Sequence, residues 1–304
     1  MKHTKIIATA IQKGGVGKTF IATHVAYLLA EDNYPYQSQT VKRPSHSVTF
    51  IDFDPQCNGT LSLLVRNKDA YYSGEFSWEP AQTSAAFFGW TMVQDQHGSH
   101  IDWDMSLPFP KAIDVPPVFG TYYDGRIKCI PAHKDALAET DSLDLELSLK
   151  VAERIRQYAL ECDSDYVVLD CSPQLGIRQL VAMFAADYII TPINAELYSE
   201  IGLAEFLDTY DSIRSSNPQC ELVVVPNRID FKTKATQSKL ESLREQLGDF
   251  MTKNCIPNSG SITNAIDASR PVWRKPPGGN DAAVASKVRK TLSEALAKFG
   301  IDAK

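Results

Sequence analysis

KIIATAIQKGGVGKTFIATHVAYLLA, residues 5–30, joins an apolar run to a helical pattern through a stretch dense in glycine. The run before it is strand-like and the pattern after it has helical periodicity, so the glycines sit on a strand-to-helix turn. The standard phosphate-binding loop is G-x-x-x-x-G-K-[ST]. Counting back from Gly17-Lys18-Thr19 puts its first glycine at position 12, which is Gln12. The working parts are present all the same. Gly14, Gly15 and Gly17, with Val16 between them, let successive backbone N–H groups turn inward and cradle phosphate oxygens. Lys18 can reach terminal phosphates, the Thr19 hydroxyl is placed for Mg²⁺, and the helix beginning here directs its positive end at the anion.

Beyond this turn, apolar runs alternate with helical patterns. KIIATAI, VTFIDFD, RIKCIPA, YVVLDC, YIITPI and ELVVVPN are the expected strands; LAEFLDTYDSIR, SKLESLREQLGDFM and VASKVRKTLSEALAKF are among the expected helices. That alternation predicts an α/β fold: a doubly wound, mostly parallel sheet with helices on both faces. Two segments break the rhythm. Residues 31–47 form a long polar connection, expected to be a surface loop. Residues 69–124 hold 12 aromatic residues, 8 acidic residues and a single basic one, Lys111. This insertion is either a subdomain that buries its aromatics or a partner surface anchored by them. The whole, residues 1–304, is expected to be a single phosphate-loop ATPase domain carrying that insertion.

The net charge of −6 gives no global attraction to nucleic acid, but its distribution is uneven. From residue 226 onward there are 14 Lys+Arg against 8 Asp+Glu, a net of +6, while the remainder carries −12. A basic C-terminal third can be a local footprint for phosphates, or an ordinary solvated surface. The six cysteines show no C-x-x-C pair and no metal-like spacing, as in a reducing compartment. No apolar run reaches the roughly 18 residues needed to span a bilayer, and no leader pattern precedes the first strand, so a cytoplasmic location is expected.

In a doubly wound sheet ligands gather at the carboxyl ends of strands, so acidic residues there are the next candidates. YVVLDCSP puts Asp170 at the end of a buried run, where a carboxylate holds Mg²⁺ directly or through water, or else caps a helix. VTFIDFDPQCNGT supplies Asp52 and Asp54, which alternation sends to opposite faces; one of them should be structural.

Lys13, taken alone, is a solvated loop lysine. The seven residues KGGVGKT, however, resemble the deviant Walker A loop of the ParA/MinD family of ATPases, and the similarity extends over residues 4–30, 48–64, 126–136 and 160–230. That resemblance implies ATP and Mg²⁺ as cofactors, and it implies that Lys13 reaches across a homodimer interface to the partner's nucleotide. DFDPQ matches the family's second nucleotide motif, which makes Asp54 the residue that orients the attacking water and Asn58 the switch that senses Mg²⁺ and γ-phosphate. DCSPQLG resembles the second switch, and VVVPNRID the adenine-binding segment, with Asn227 facing the base; an Asn after a strand is otherwise a common turn residue. Phe20, also expected at the nucleotide, replaces the hydroxyl residue that usually follows the loop threonine, which bears on an α-phosphate contact.

The resemblance further implies a partition ATPase. Such a protein dimerises with ATP, binds DNA without sequence preference on the nucleoid, and lets go when a centromere-binding or cargo adaptor protein stimulates hydrolysis. Candidate phosphate contacts are Lys232, Lys234, Arg270, Arg274, Lys275, Lys287, Arg289 and Lys290. One alternative is a MinD-like membrane-positioning ATPase whose last helix, through Val284, Val288, Leu292, Leu296 and Phe299, is the anchor; the same stripe can instead pack on the sheet. Another is a small-molecule metabolic enzyme built on the same loop.

Overall fold

Runs such as Val167-Val168-Leu169 are apolar at every position rather than at alternate ones, which suits strands covered on both sides. A computed structural model describes residues 3–11, 13–31, 33–36, 39–42, 46–65, 69, 73, 76–95, 98–116, 126–142, 144–172, 176–194, 200–274 and 279–302. Its strands are β1 (Lys5–Thr9), β2 (Asn33–Tyr36), β3 (Gln39–Lys42), β4 (Val48–Asp52), β5 (Trp90–Asp95), β6 (Gly98–Trp103), β7 (Ile113–Asp114), β8 (Ile127–Ile130), β9 (Tyr166–Asp170), β10 (Tyr188–Ile193) and β11 (Glu221–Pro226). Seven of them, in the order β11-β10-β1-β9-β4-β8-β7, make one sheet among the described residues. Every neighbour in it is parallel except the short edge strand β7, which runs antiparallel to β8. All six expected strands are in it, and the sheet is the doubly wound one the alternation predicts.

The longer helices are α1 (Lys18–Ala30), α2 (Leu145–Glu161), α3 (Ile177–Ala185), α4 (Glu200–Ser216), α5 (Lys234–Leu247), α6 (Gly260–Asp267) and α7 (Asn280–Lys298). They divide between the two faces. On one face Ile7, Phe50, Val168, Ile190 and Val223 pack with Val25 of α1 and Val288 and Leu292 of α7. Ile6, Ile51, Val167, Leu169 and Val224 face the other way, onto Ile155 of α2, Val181 of α3, Phe206 of α4 and Leu240 of α5. Successive strand residues thus enter opposite cores, as the pleat requires.

Two expectations change. Residues 31–47 were expected to form a surface loop, but they contain the antiparallel pair β2–β3, with Asn33 opposite Lys42 and Tyr36 opposite Gln39. Tyr34, Tyr36, Thr40 and Val41 are strand-favouring residues dispersed among polar ones, so the polarity masked the pairing. Within 69–124, Phe87, Phe88 and Trp90 do not sit in a separate core. They are buried in the same cluster as the sheet, with Phe53 edge-on to Phe88 at 5.5 Å and Phe87 edge-on to Tyr158 at 5.4 Å. The stripe of α7 is likewise covered: Val288, Leu292 and Leu296 are fully buried against the sheet, which removes the observation behind a membrane-anchoring helix. No helix among the described residues is long and apolar enough to cross a membrane.

The end of α1 carries a charge the sequence did not flag. Glu31 is 1% exposed, and its carboxylate accepts hydrogen bonds from Trp273 Nε1 at 2.7 Å and Arg274 Nε at 3.0 Å. Arg274 Nη2 lies 2.9 Å from it, Arg289 Nη2 3.5 Å, and the Arg289 guanidinium stands over the Trp273 ring. Arg274 and Arg289 are only 7% and 8% exposed, so their expected role as DNA-phosphate contacts is overturned: both are consumed in an internal ion cluster. Lys275 lies outside the described residues. Breaking a buried pair leaves an uncompensated charge, at a cost of about 3–5 kcal/mol. Glu31→Gln keeps the shape and removes the charge, so its unfolding free energy from urea titration should fall by an amount in that range.

Candidate functional site

Parallel register places three strand ends side by side: Thr9 of β1 and Asp52 of β4 both pair with Asp170 of β9. The glycine-rich loop begins just beyond β1 and closes over these ends. It turns through Gly15 at φ +75° and Gly17 at φ +92°, a left-handed backbone that side chains resist, and α1 starts at Lys18. Lys18 is 5% exposed, and its Nζ donates to the carbonyls of Ile11 at 3.2 Å and Lys13 at 2.8 Å. Burial lowers its pKa, while the charges of Asp170 and Asp54 oppose that shift.

The two aspartates of the DFDPQ stretch separate as alternation demands. Asp52 is the structural one: its Oδ2 accepts from the Thr60 N–H at 2.7 Å and the Thr60 hydroxyl at 2.8 Å, and its Oδ1 accepts from the Asp54 N–H at 3.0 Å. Asp54 lies past the strand, accepts from the Gln56 N–H at 2.9 Å and lines the cavity beside the loop. Burial, reinforced by the Asp54 charge, raises the pKa of Asp52; burial and the Asp52 charge raise that of Asp170, against the Thr19 hydroxyl; burial raises that of Asp54, against Lys18 and Arg178.

Buried Asp54 and Asp170 thus share the neighbourhood of Lys18, with Asp52 beside Asp170, and Asp170 Oδ2 has no hydrogen-bond partner among the described residues. An orphaned carboxylate oxygen in a patch of excess negative charge, next to a threonine hydroxyl, fits a hard divalent cation such as Mg²⁺. The glycine cradle beside it fits phosphate.

The cavity over the loop has a volume of about 360 Å³ and is lined by Gly15, Gly17, Lys18, Thr19, Phe20, Asp54, Asn58, Arg228 and Arg270, among others. Of the expected site residues, Gly14 is an exposed part of the loop, Val16 is buried beneath it and Lys13 is exposed. Asn227, expected to face a base, lines an adjoining cavity of about 180 Å³ that shares Gly17, Phe20 and Arg228 with the first. Its amide is engaged with the loop, donating from Nδ2 to the Val16 carbonyl at 2.7 Å. Residues 173–175 of the DCSPQLG stretch lie outside the described residues.

Sequence reasoning missed Arg228, although it directly follows Asn227 at a strand's carboxyl end, where its position alone made it a candidate. Arg270 was expected on DNA; its Nη1 donates to the Arg274 carbonyl at 2.6 Å and it borders the cavity. Lys232, Lys234, Lys287 and Lys290 are exposed, with Lys287 over the Phe231 ring.

His24, also on the cavity wall, is 2% exposed. Nδ1 donates to the Phe20 carbonyl at 2.8 Å and Nε2 accepts from the Val272 N–H at 3.1 Å, so both hydrogen bonds need the neutral ring. Burial drives its pKa from 6.5 down to about 3. A depressed folded-state pKa means stability that is complete above pH 6.5 and lost as pH falls toward 3. Between pH 6.5 and 5 this group should remove about 2 kcal/mol. Urea denaturation across that window should show the loss, and His24→Gln should flatten it.

The AAA domain family matches residues 4–76 and 112–222. Protein IncC of Escherichia coli is 27% identical over 271 residues, covering 89% of this chain and 63% of that protein, so the chain spans under two thirds of this relative's length. The chromosome-partitioning ATPase Soj of Thermus thermophilus is 27% identical, over 89% of this chain and 88% of its own. Among solved structures, the ATP complex of Cyanothece McdA superposes with a TM-score of 0.70 at 18% identity, covering 99% of this chain and 98% of that one, a likeness of fold.

Proposed function

The chain belongs to the AAA domain family, in its ParA/MinD-type partition group, and from that premise we propose an Mg²⁺-dependent ATPase that dimerises with ATP and binds DNA non-specifically to position cargo. The observation that carries this reading is that Lys18, Thr19 and Asp54 line one cavity over the phosphate loop, with Asp170 buried behind it at the end of β9, next to Thr9 and the Thr19 hydroxyl. Backbone N–H groups of Gly14 to Thr19 hold the phosphates. Lys18 leaves the Ile11 and Lys13 carbonyls for the phosphate oxygens, a charge-assisted exchange that compensates a buried cation better than neutral carbonyls do. Thr19 and Asp170 hold Mg²⁺, which when bound neutralises charge developing on the transferred phosphoryl group.

Asp54 orients the attacking water. Burial raises its pKa, yet the Gln56 N–H, then Lys18 and Arg178, oppose the rise, so orientation fits it better than strong general-base catalysis. Turnover is then slow unless a partner protein completes the site. Lys13 fits a role in trans: it is exposed, while Lys18 five residues on serves the subunit's own cavity. An added cation at a transferring phosphoryl group is worth roughly 10³ to 10⁵ in rate when supplied by a neighbour.

Lys13→Ala should therefore bind nucleotide like the parent chain but fail to form an ATP-dependent dimer. Light scattering with a non-hydrolysable ATP analogue, beside measured nucleotide affinity, checks this; a variant that dimerises normally returns Lys13 to a solvated loop residue.

DNA binding falls to those candidate lysines that the structure leaves exposed, Lys232, Lys234, Lys287 and Lys290. On duplex DNA, removing one lysine that neutralises a phosphate should flatten the slope of log affinity against log salt by about 0.9. Replacing Lys287 and Lys290 by alanine should weaken binding alike on unrelated sequences and reduce the slope by up to about twice that amount. An unchanged slope in a salt titration would remove this face from the footprint.

A further inference from the structure

A loop that binds anions through N–H groups faces a constraint on its carbonyls. In a trans peptide the C=O of one residue and the N–H of the next point in opposite directions. Fixing where a loop carbonyl goes therefore fixes where the following N–H goes. In this chain two successive loop carbonyls are held from outside by two successive residues. Arg228 Nη1 donates to the Gly15 carbonyl at 2.7 Å, and Asn227 Nδ2 donates to the Val16 carbonyl at 2.7 Å. The first hydrogen bond turns the Val16 N–H away from Arg228, and the second turns the Gly17 N–H away from Asn227.

The pair itself is held in an unusual backbone. Arg228 has φ +57°, a conformation an arginine adopts only at a cost, and its N–H is bound by Asn227 Oδ1 at 3.0 Å. The fit against the loop is tight. A Cβ on Gly17 would come within 2.3 Å of Asn227 Nδ2. Arg228 is exposed, so neither core packing nor burial of its side chain accounts for the strain.

We propose that Asn227 and Arg228 form a clamp that presets the phosphate loop, with Arg228 a positioning residue acting through the Gly15–Val16 peptide. This rests on the nucleotide-binding reading above and extends it. The clamp holds two N–H donors toward the anion before it arrives, so less ordering cost remains on binding. Its effect falls on the part of the loop that any nucleoside di- or triphosphate uses, whereas Lys18 favours the nucleotide with more terminal charge.

The test uses the full chain and three variants, Arg228→Ala, Arg228→Gly and Arg228→Lys. Affinities for Mg-ATP and Mg-ADP are measured by calorimetry, and thermal midpoints are taken with and without nucleotide. Arg228→Ala and Arg228→Gly should each lose about tenfold for both nucleotides equally, the scale of one hydrogen bond. Arg228→Gly relieves the left-handed strain, so its nucleotide-free midpoint should equal or exceed that of the parent chain while its nucleotide-induced shift shrinks. Arg228→Lys retains a donor and should recover part of the affinity. If Arg228→Gly binds both nucleotides like the parent chain, the clamp is overturned. A loss confined to ATP also overturns it, making Arg228 a cation for the terminal phosphate. If the parent chain binds neither nucleotide, the ATPase reading falls and the clamp falls with it.

Discussion

A lysine ammonium buried beside the carboxylates of Asp54 and Asp170, at the ends of adjacent parallel strands, dictates how this molecule is built. Neither charge type is stable there alone. Lys18 at 5% exposure needs counter-charge, and burial disfavours the ionised forms of Asp52, Asp54 and Asp170, with carboxylate repulsion adding to it at Asp52 and Asp170. Only parallel strands in matched register bring Thr9, Asp52 and Asp170 level, and parallel strands need helical crossovers on the sheet faces. The doubly wound architecture is thus what assembles the charge cluster. Asp52 is then spent on Thr60 and the Asp54 N–H, fixing the turn that delivers Asp54 to the cavity.

What the sequence made legible is what short-range physics determines. KGGVGKT between a strand and a helix specifies its own backbone, and the runs ending in Asp52 and Asp170 specify strands whose ends meet. The clamp by Asn227 and Arg228 was half visible: the resemblance marked Asn227 but not Arg228, and only the fold shows their donors on Val16 and Gly15. Arg274 and Arg289 were illegible for a different reason. Nothing near them announces Glu31, which lies more than 240 positions earlier, and a basic residue in a basic segment looks like surface until its partner is located. The same holds for Phe87 and Phe88, whose neighbours Phe53 and Tyr158 come from distant parts of the chain.

The internal use of Arg274 and Arg289 also changes what the C-terminal charge can do. The net +6 from residue 226 onward could be a phosphate footprint or a solvated surface, but two of its arginines are buried against the single Glu31 at the end of α1, and Arg270 borders the nucleotide cavity. The basic surface that remains among the described residues includes Arg228, Lys232, Lys234, Lys239, Arg244, Lys253, Lys287 and Lys290, all exposed. Two such surfaces brought together act multivalently, and the gain comes from effective concentration rather than from new contacts. On the proposed reading, pairing of two subunits would therefore add to whatever hold on DNA either surface has alone.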